Sequence, residues 1–159
     1  MSNQLTHFPP AHTLPTSAQR SLRLAALPTA PHLARVFVVH AARQLGLSDE
    51  CVDAAELIMS ELVTNAVKQV GRVDGPPTAR PTEQVAVIIV RLRLIDGAVQ
   101  LDVWDNDATV PKLGEPSLYA EAGRGLFLVS ALASRWGSYP ERQPGSVRRG
   151  KIVWAEVSR

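Results

Sequence analysis

A carboxylate and an amide lie one helical turn apart where the sequence reads Glu61-Leu62-Val63-Thr64-Asn65. At about 100° per residue, Glu61 and Asn65 are about 40° apart around a helix, and Lys68 falls on the same strip. Such a pair could hold a hydrated Mg²⁺ and orient a hydroxyl nucleophile, because Mg²⁺ takes oxygen ligands and keeps several of its waters. The alternative interpretation is a solvated polar face that lies opposite an apolar core stripe.

Two later segments could contact a nucleotide. Asp105 follows the run Asp102-Val103-Trp104, and a carboxylate at the end of a strand could accept the exocyclic amine of adenine. The alternative for this segment is an acidic turn, which Asp and Asn favour. The glycine pair of GRGLFLV, residues 123–129, could bring backbone N–H groups to phosphate at a helix N-terminus. The alternative is a plain glycine turn before a core helix, since the segment is neither a Walker motif nor a dinucleotide fingerprint.

The N-terminal half predicts the elements that carry the first pair. Residues 21–25 alternate like a short strand, and Pro31 fits the first turn of a helix that Gly46 would end. Ser48 is a suitable N-cap for a second helix that runs to about Val70. The apolar residues of the first helix, predicted as core or alternatively as an interface, are Leu33, Val36, Phe37 and His40, continued by Ala41 and Leu45. Those predicted for the second helix are Val52, Ala55, Met59, Leu62, Ala66 and Val70.

The C-terminal half predicts two hairpins and a helix. Residues 84–95 and 98–105 form strands joined by Asp96-Gly97, a strong hairpin signal. A helix over 125–134 follows, and then a hairpin of strands 135–140 and 151–157. This order favours an α+β fold, a two-layer sandwich with helices on one face of a mixed, mostly antiparallel sheet.

The composition suits one globular domain. The chain has 159 residues, 45% of them hydrophobic and 20% charged, with a net charge of +2. We expect residues 1–19, which contain Pro9, Pro10 and Pro15, to be a mobile tail, and residues 20–159 to form the domain. The charge is too small to favour nucleic acid, and no apolar run reaches the roughly 20 residues that cross a bilayer. A cytoplasmic location follows as an expectation, and the lone Cys51 excludes an intramolecular disulfide and a cysteine-rich zinc site.

Taken together and in this order, ELVTNAV, WDND and GRGLFLV resemble the N, G1 and G2 boxes of the GHKL ATPase superfamily, which includes gyrase, heat-shock chaperones and sensor histidine kinases. The segments SELVTNAV, GRGLFLVSALASRWG and GKIVWAEV resemble more closely its stand-alone anti-sigma-factor/serine-kinase branch, in particular the ATP-binding regulators of actinobacteria. The resemblance covers residues 21–157. It implies the Bergerat-type ATP-binding fold.

The resemblance also implies a role for each matching residue. Glu61 would be the general base, Asn65 would bind Mg²⁺ between the ATP phosphates, and Asp105 would accept the adenine amine. Lys68 would add a charged phosphate contact. The glycine-rich lid would bring backbone donors to the phosphates; its residues are Gly123, Arg124, Gly125 and Leu126.

Three positions depart from the family pattern. Where the family often has a His soon after the Asn of the N box, this chain has Lys68-Gln69. The G1 box usually reads Asp-x-Gly-x-Gly, whereas this chain has Asp105-Asn106-Asp107-Ala108-Thr109, so that Asp107 stands beside the nucleotide site. The family often places a Thr in the final strand to help hold a water in the adenine site, and the matching position is Ile152. The loss of that hydroxyl would weaken ATP binding by up to roughly tenfold.

The function implied is that of an ATP-binding regulator of the anti-sigma-factor type that uses Mg²⁺. As a serine/threonine protein kinase it would phosphorylate an anti-sigma-antagonist protein and sequester a sigma factor. The first alternative is a protein-binding regulator without kinase activity, gated by nucleotide or independent of it. The second is an α/β domain that binds no nucleotide. A homodimer is a further expected assembly, and neither nucleic acid nor a membrane is an expected partner.

Overall fold

Eight helices and strands make up the part of the chain that the computed structural model describes, residues 19–70, 86–109, 124–142 and 149–159. In chain order they are β1 (Gln19–Ala25), α1 (Ala30–Gln44), α2 (Asp49–Val70), β2 (Val87–Ile95), β3 (Ala98–Asp105), α3 (Arg124–Leu132), β4 (Arg135–Arg142) and β5 (Arg149–Ser158). Each corresponds to an element that the sequence predicts. The expected N-terminal tail up to residue 18 and the turn of the last hairpin lie outside the described residues.

The five strands form one sheet in the order β1-β2-β3-β5-β4. Every pairing among them is antiparallel, where the sequence predicted a mixed, mostly antiparallel sheet. Helix α2 packs across β3 and β5, with α1 and α3 against its sides. The predicted α+β class with two layers is therefore confirmed, and the middle of the sheet lies under α2.

Local signals explain where the two long helices meet. Gly46 adopts a φ of +69°, a conformation that suits glycine, and its N–H donates to the Arg43 carbonyl at 3.0 Å. Two residues later, Ser48 Oγ accepts a hydrogen bond from the Cys51 N–H at 3.3 Å, which confirms the predicted N-cap. The short connection between these caps turns the chain sharply, so α2 lies directly beside α1.

The predicted core face of α1 is wrong in part: Ala41 is buried, and Phe37 and Leu45 pack against the core, but the other three predicted residues do not. Leu33 and Val36 are 47% and 57% exposed, and His40 is exposed as well. The buried face consists mainly of small side chains: Ala30, Ala34, Val38, Ala41 and Ala42. Both faces of this helix carry apolar residues, so periodicity alone could not choose between them. The alanine face allows close approach to α2, and that packing decides the orientation.

The β2–β3 hairpin places the acidic end of β3. Asp96 and Gly97 have φ values of 44° and 83°, the positive values of a type I′ turn, as the Asp-Gly signal predicted. The turn pairs Ile95 with Ala98 and sets the register of the whole hairpin. Strand β3 then ends at Asp105, which pairs with Lys151 of β5.

The sheet face opposite the helices has its own buried groups. Ile89, Trp104, Ile152 and Trp154 form a second apolar cluster there. On the same face Asp102 is fully buried, with Arg93 Nη2 at 2.6 Å and Gln100 Nε2 at 2.7 Å from its carboxylate. Asp102 is therefore a structural anion of this face, separate from the end of β3. Within the described residues, no helix is long and apolar enough to cross a membrane.

Candidate functional site

A cleft, partly open to solvent, lies between α2, the start of α3 and the adjoining ends of β3 and β5. Its lining residues are Leu62, Asn65, Ala66, Gln69, Asp105, Leu126, Lys151 and Val153. The lining therefore combines four apolar side chains with two amides, a carboxylate and an ammonium group. A concave site with apolar walls and a few convergent polar groups is typical of a small-molecule site.

The Glu61 carboxylate lies against the first turn of α3. A β-carbon added at Gly125 would collide with Glu61 Oε2 and would lie 3.4 Å from Asn65 Nδ2. Only glycine leaves room for the acid at this point. The N-terminus of a helix presents unpaired N–H groups and a partial positive charge, which favour an anion. The structure therefore brings together the acid and amide of the first motif and the glycine of the third.

Asp105 is joined to Lys151 at the other polar part of the cleft. Lys151 Nζ donates to Asp105 Oδ1 at 2.8 Å and to the Asp107 carbonyl at 2.8 Å. The Asp107 N–H also donates to Asp105 Oδ1, at 2.9 Å. Among the described residues, no hydrogen bond uses Asp105 Oδ2, so this oxygen can accept a donor from the cleft.

Burial raises the pKa of Asp105. The side chain is almost wholly buried, which moves the pKa of Asp105 above its ordinary value, while the hydrogen bond and charge of Lys151 oppose that shift.

Gly150, the residue before Lys151, lies very close to the end of β3. A β-carbon at Gly150 would collide with the Asp105 carbonyl oxygen and lie 2.8 Å from Trp104 Cζ2, so β5 packs tightly against β3 at this point.

Asp107 closes the turn after β3. Its Oδ1 accepts the Thr109 N–H at 2.9 Å and the Thr109 hydroxyl at 2.7 Å. Partial burial raises the pKa of Asp107, but these hydrogen bonds and the charge of Lys151 outweigh burial, so the pKa is lowered. The carboxylate is therefore engaged with its own turn, and the Asp107 group that contacts the site is the main-chain carbonyl.

Of the other predicted site residues, some line the cleft and some do not. Leu126 is buried and lines the cleft beside Asn65. Lys68 is exposed and is not among the lining residues, whereas the next residue, Gln69, lines the cleft. Arg124 is the first residue of α3, and Gly123 lies outside the described residues. The phosphate contacts expected of Lys68, Gly123 and Arg124 remain predictions.

Lys151 is the site residue that the sequence interpretation missed, and Ile152 was placed there wrongly. Ile152 belongs to the apolar cluster on the far face of the sheet and does not line the cleft. The sequence could have shown this, because side chains alternate between the two faces of a strand. Lys151 is therefore on the same face of β5 as Val153, Ala155 and Val157, which face the helices. A lysine in the phase of core residues indicates a buried partner.

Two comparisons with known proteins agree with this fold. The sequence profile of the histidine kinase-like ATPase domain matches residues 24–155. The crystal structure of the RsbU and RsbW domains of Rv1364c from Mycobacterium tuberculosis superimposes with a TM-score of 0.52 at 18% identity, over 87% of this chain and 32% of that one. This chain thus spans about a third of the solved protein, and the likeness at this identity concerns the fold. No curated protein sequence matches the chain.

Proposed function

The chain belongs to the histidine kinase-like ATPase domain family, and from that premise we propose that it binds Mg·ATP in the cleft and phosphorylates a serine or threonine of a partner protein. The observation that carries the proposal is the position of the Glu61 carboxylate against Gly125, with Asn65 beside it. An acid, an amide and a helix N-terminus that meet beside the cleft are a minimal set for phosphoryl transfer, which depends mainly on positioning and charge neutralisation.

The residues of the cleft fit Mg·ATP. Asp105 Oδ2 is an acceptor for an exocyclic amine, and Leu62, Leu126 and Val153 offer apolar walls to a base. The Asn65 amide oxygen suits Mg²⁺, which needs few protein ligands when phosphates are present. The missing side chain at Gly125 lets the main chain of α3 come close to a bound anion. Bound Mg·ATP supplies the phosphoryl group and the charge of the metal.

Glu61 would act as the general base. Its carboxylate is half-buried and, among the described residues, makes no hydrogen bond or ion pair that would have to break first. It would accept the proton of the attacking hydroxyl as the new oxygen–phosphorus bond forms, while the bond from the γ-phosphorus to the β–γ bridging oxygen breaks and ADP leaves. Asn65, one turn further along α2, would hold the metal next to that reaction, so a single helix would set both positions.

We propose a protein of the anti-sigma system as the substrate. The fold is shared with a structure that contains an RsbW domain, and the resemblance of SELVTNAV and GKIVWAEV points to the same branch. On this proposal an anti-sigma-antagonist protein receives the phosphoryl group and a sigma factor is sequestered in the cytoplasm.

A second function, nucleotide-gated binding of a protein without phosphoryl transfer, is supported by one observation. Leu126 lines the cleft, whereas the next residue, Phe127, is 66% exposed. Any movement of α3 on nucleotide binding would therefore also move a large apolar side chain on the surface. Such a surface could bind a partner in one nucleotide state only.

The test compares the wild type with Glu61→Gln and with Glu56→Gln, a control at a half-buried position of α2 that forms an ion pair with Arg35. Each protein is incubated with radiolabelled ATP, Mg²⁺ and candidate antagonist proteins, and ATP affinity is measured by calorimetry. We expect Glu61→Gln to reduce transfer by about 100-fold or more while ATP affinity changes by less than about threefold. Glu56→Gln should behave as the wild type.

The other outcomes separate the candidates. ATP binding without transfer by the wild type would favour nucleotide-gated binding, and a pull-down with and without ATP would then identify the partner. Absence of saturable ATP binding would reject both functions. Transfer that survives in Glu61→Gln would remove Glu61 from the general-base role.

A further inference from the structure

A buried ammonium group faces the same cleft as Asp105. Lys151 is 4% exposed, although lysine is seldom fully buried in proteins. Lys151 is one of the residues that line the cleft, and its Nζ donates to Asp105 Oδ1 and to the Asp107 carbonyl, both at 2.8 Å. An ammonium group has three N–H donors, so one is left after these two bonds among the described residues.

Neutralising Asp105 is not a sufficient reason for this arrangement. A buried ion pair gains little net stability over well-packed apolar residues, because both charges lose their hydration. The neighbours of Lys151 on this face of β5, Val153 and Ala155, are such apolar residues. The pair instead provides groups for binding a ligand. Asp105 Oδ2 is a hydrogen-bond acceptor, Lys151 Nζ is a donor next to it, and both residues line the cleft.

We propose that Lys151 recognises the base directly: Asp105 Oδ2 accepts the exocyclic amine of a 6-aminopurine, and Lys151 Nζ donates its remaining hydrogen bond to a ring nitrogen beside that amine. The inference rests on the proposed function, because it requires that the cleft takes ATP. A 6-aminopurine presents a donor next to an acceptor, which is the complement of the acceptor and donor that this pair presents. Lys151 would thus be a specificity-determining residue of the site.

The test uses nucleotides from which one acceptor has been removed. ATP, 1-deaza-ATP and 7-deaza-ATP are titrated by calorimetry, with Mg²⁺, into the wild type, into Lys151→Met and into Arg43→Met, which removes an exposed cation away from the cleft. Loss of one hydrogen bond to a charged donor typically costs about tenfold or more in affinity. We expect the wild type and Arg43→Met to lose that factor with one of the two analogues.

Lys151→Met should bind ATP about tenfold or more weakly, and it should no longer distinguish that analogue from ATP. Equal binding of all three nucleotides by the wild type would overturn the inference, and this arm does not depend on whether the variant folds. Discrimination that persists in Lys151→Met would overturn it as well, because another group would then be the donor. If the wild type bound no ATP, the proposed function itself would fail.

Discussion

At the scale of the residue, the absence of a side chain at Gly125 decides where the Glu61 carboxylate lies. In Gly125→Ala the new methyl group would displace the end of a flexible side chain and not the backbone. Alanine also favours a helix over glycine, so the free energy of unfolding should stay equal or rise by up to about 1 kcal/mol. Phosphoryl transfer should fall about tenfold or more, since small misplacements of a catalytic group are costly.

Urea unfolding and a transfer assay on the same preparation check this prediction. The informative result is a lower transfer rate with an unchanged or higher free energy of unfolding, because a general loss of structure would lower both. A variant that keeps the full transfer rate would show that the Glu61 carboxylate can turn aside without leaving its working position.

The raised pKa of Asp105 gives the site a pH dependence. Burial is the main cause of that shift, so the carboxyl takes up a proton at a higher pH than an ordinary aspartate. An amine donates a stronger hydrogen bond to the ionised carboxylate than to the protonated carboxyl. Affinity for ATP should therefore be constant above the pKa and fall below it to a level about tenfold lower.

Calorimetry from about pH 7 down to about pH 4 tests this dependence. Because ATP itself titrates in this range, the affinity of the wild type is divided by that of Asp105→Asn at each pH. The ratio should decline towards acid pH. A flat ratio would mean that the carboxylate does not contact the base.

At the scale of the element, the spacing of β3 and β5 depends on Gly150. A β-carbon there would meet the Asp105 carbonyl and the Trp104 ring, neither of which can move without shifting the sheet. Gly150→Ala should therefore lower the free energy of unfolding by about 1–3 kcal/mol, measured in urea. Gly125→Ala is the matched control, because the same substitution there meets only a flexible side chain. Equal stability of the two variants would contradict the close approach of the strands.

Helix α1 offers a second matched pair. Val36 is 57% exposed and Val38 is fully buried, although both are valines of one helix. Val38→Ala should cost about 1–3 kcal/mol through the lost methyl groups and the cavity that they leave, whereas Val36→Ala should stay within about 0.5 kcal/mol. Thermal or urea unfolding of the two variants measures the difference. A larger loss of stability in Val36→Ala than in Val38→Ala would mean that Val36 lies in the core, as the sequence analysis predicted.

These elements also show what a sequence can reveal. Ser48, Gly46 and Asp96-Gly97 act through their own neighbouring backbone, and the boundaries that they predict are confirmed. The face of α1 and the role of Lys151 depend on residues distant along the chain. For α1 the apolar pattern fitted two orientations, and only packing against α2 distinguishes them. Ile152 lies in a strand that the sequence predicts, and the alternation of side chains along that strand places it on the face opposite Lys151.

At the scale of the whole molecule, the single thiol reports on the integrity of the helix layer. Burial raises the pKa of the Cys51 thiol, and this residue of the first turn of α2 is 3% exposed. A thiol reagent at about pH 8 should therefore react with the folded protein only when the structure opens locally, and so far more slowly than with the chain in urea. Saturating ATP should slow the reaction further, because a ligand stabilises the state that binds it.

The time course of absorbance with an aromatic disulfide reagent gives both rates. Cys51→Ser is the blank, since the chain has one cysteine. Rapid labelling of the folded protein would contradict the tight packing at the start of α2. Labelling that is slow but does not change with ATP would mean that ATP binding does not stabilise the helix layer.

The pairing of β3 with β5 has a consequence for the order in which the protein is built. Asp105 and Lys151 are 46 positions apart along the chain, whereas Glu61 and Asn65 are neighbours on one helix. During synthesis the part of the site that contains Glu61 and Asn65 can therefore form with the helices, but the part proposed to bind the base must await β5. Closing so long a loop carries an entropic cost, so the nascent domain acquires its affinity for nucleotide in a late step.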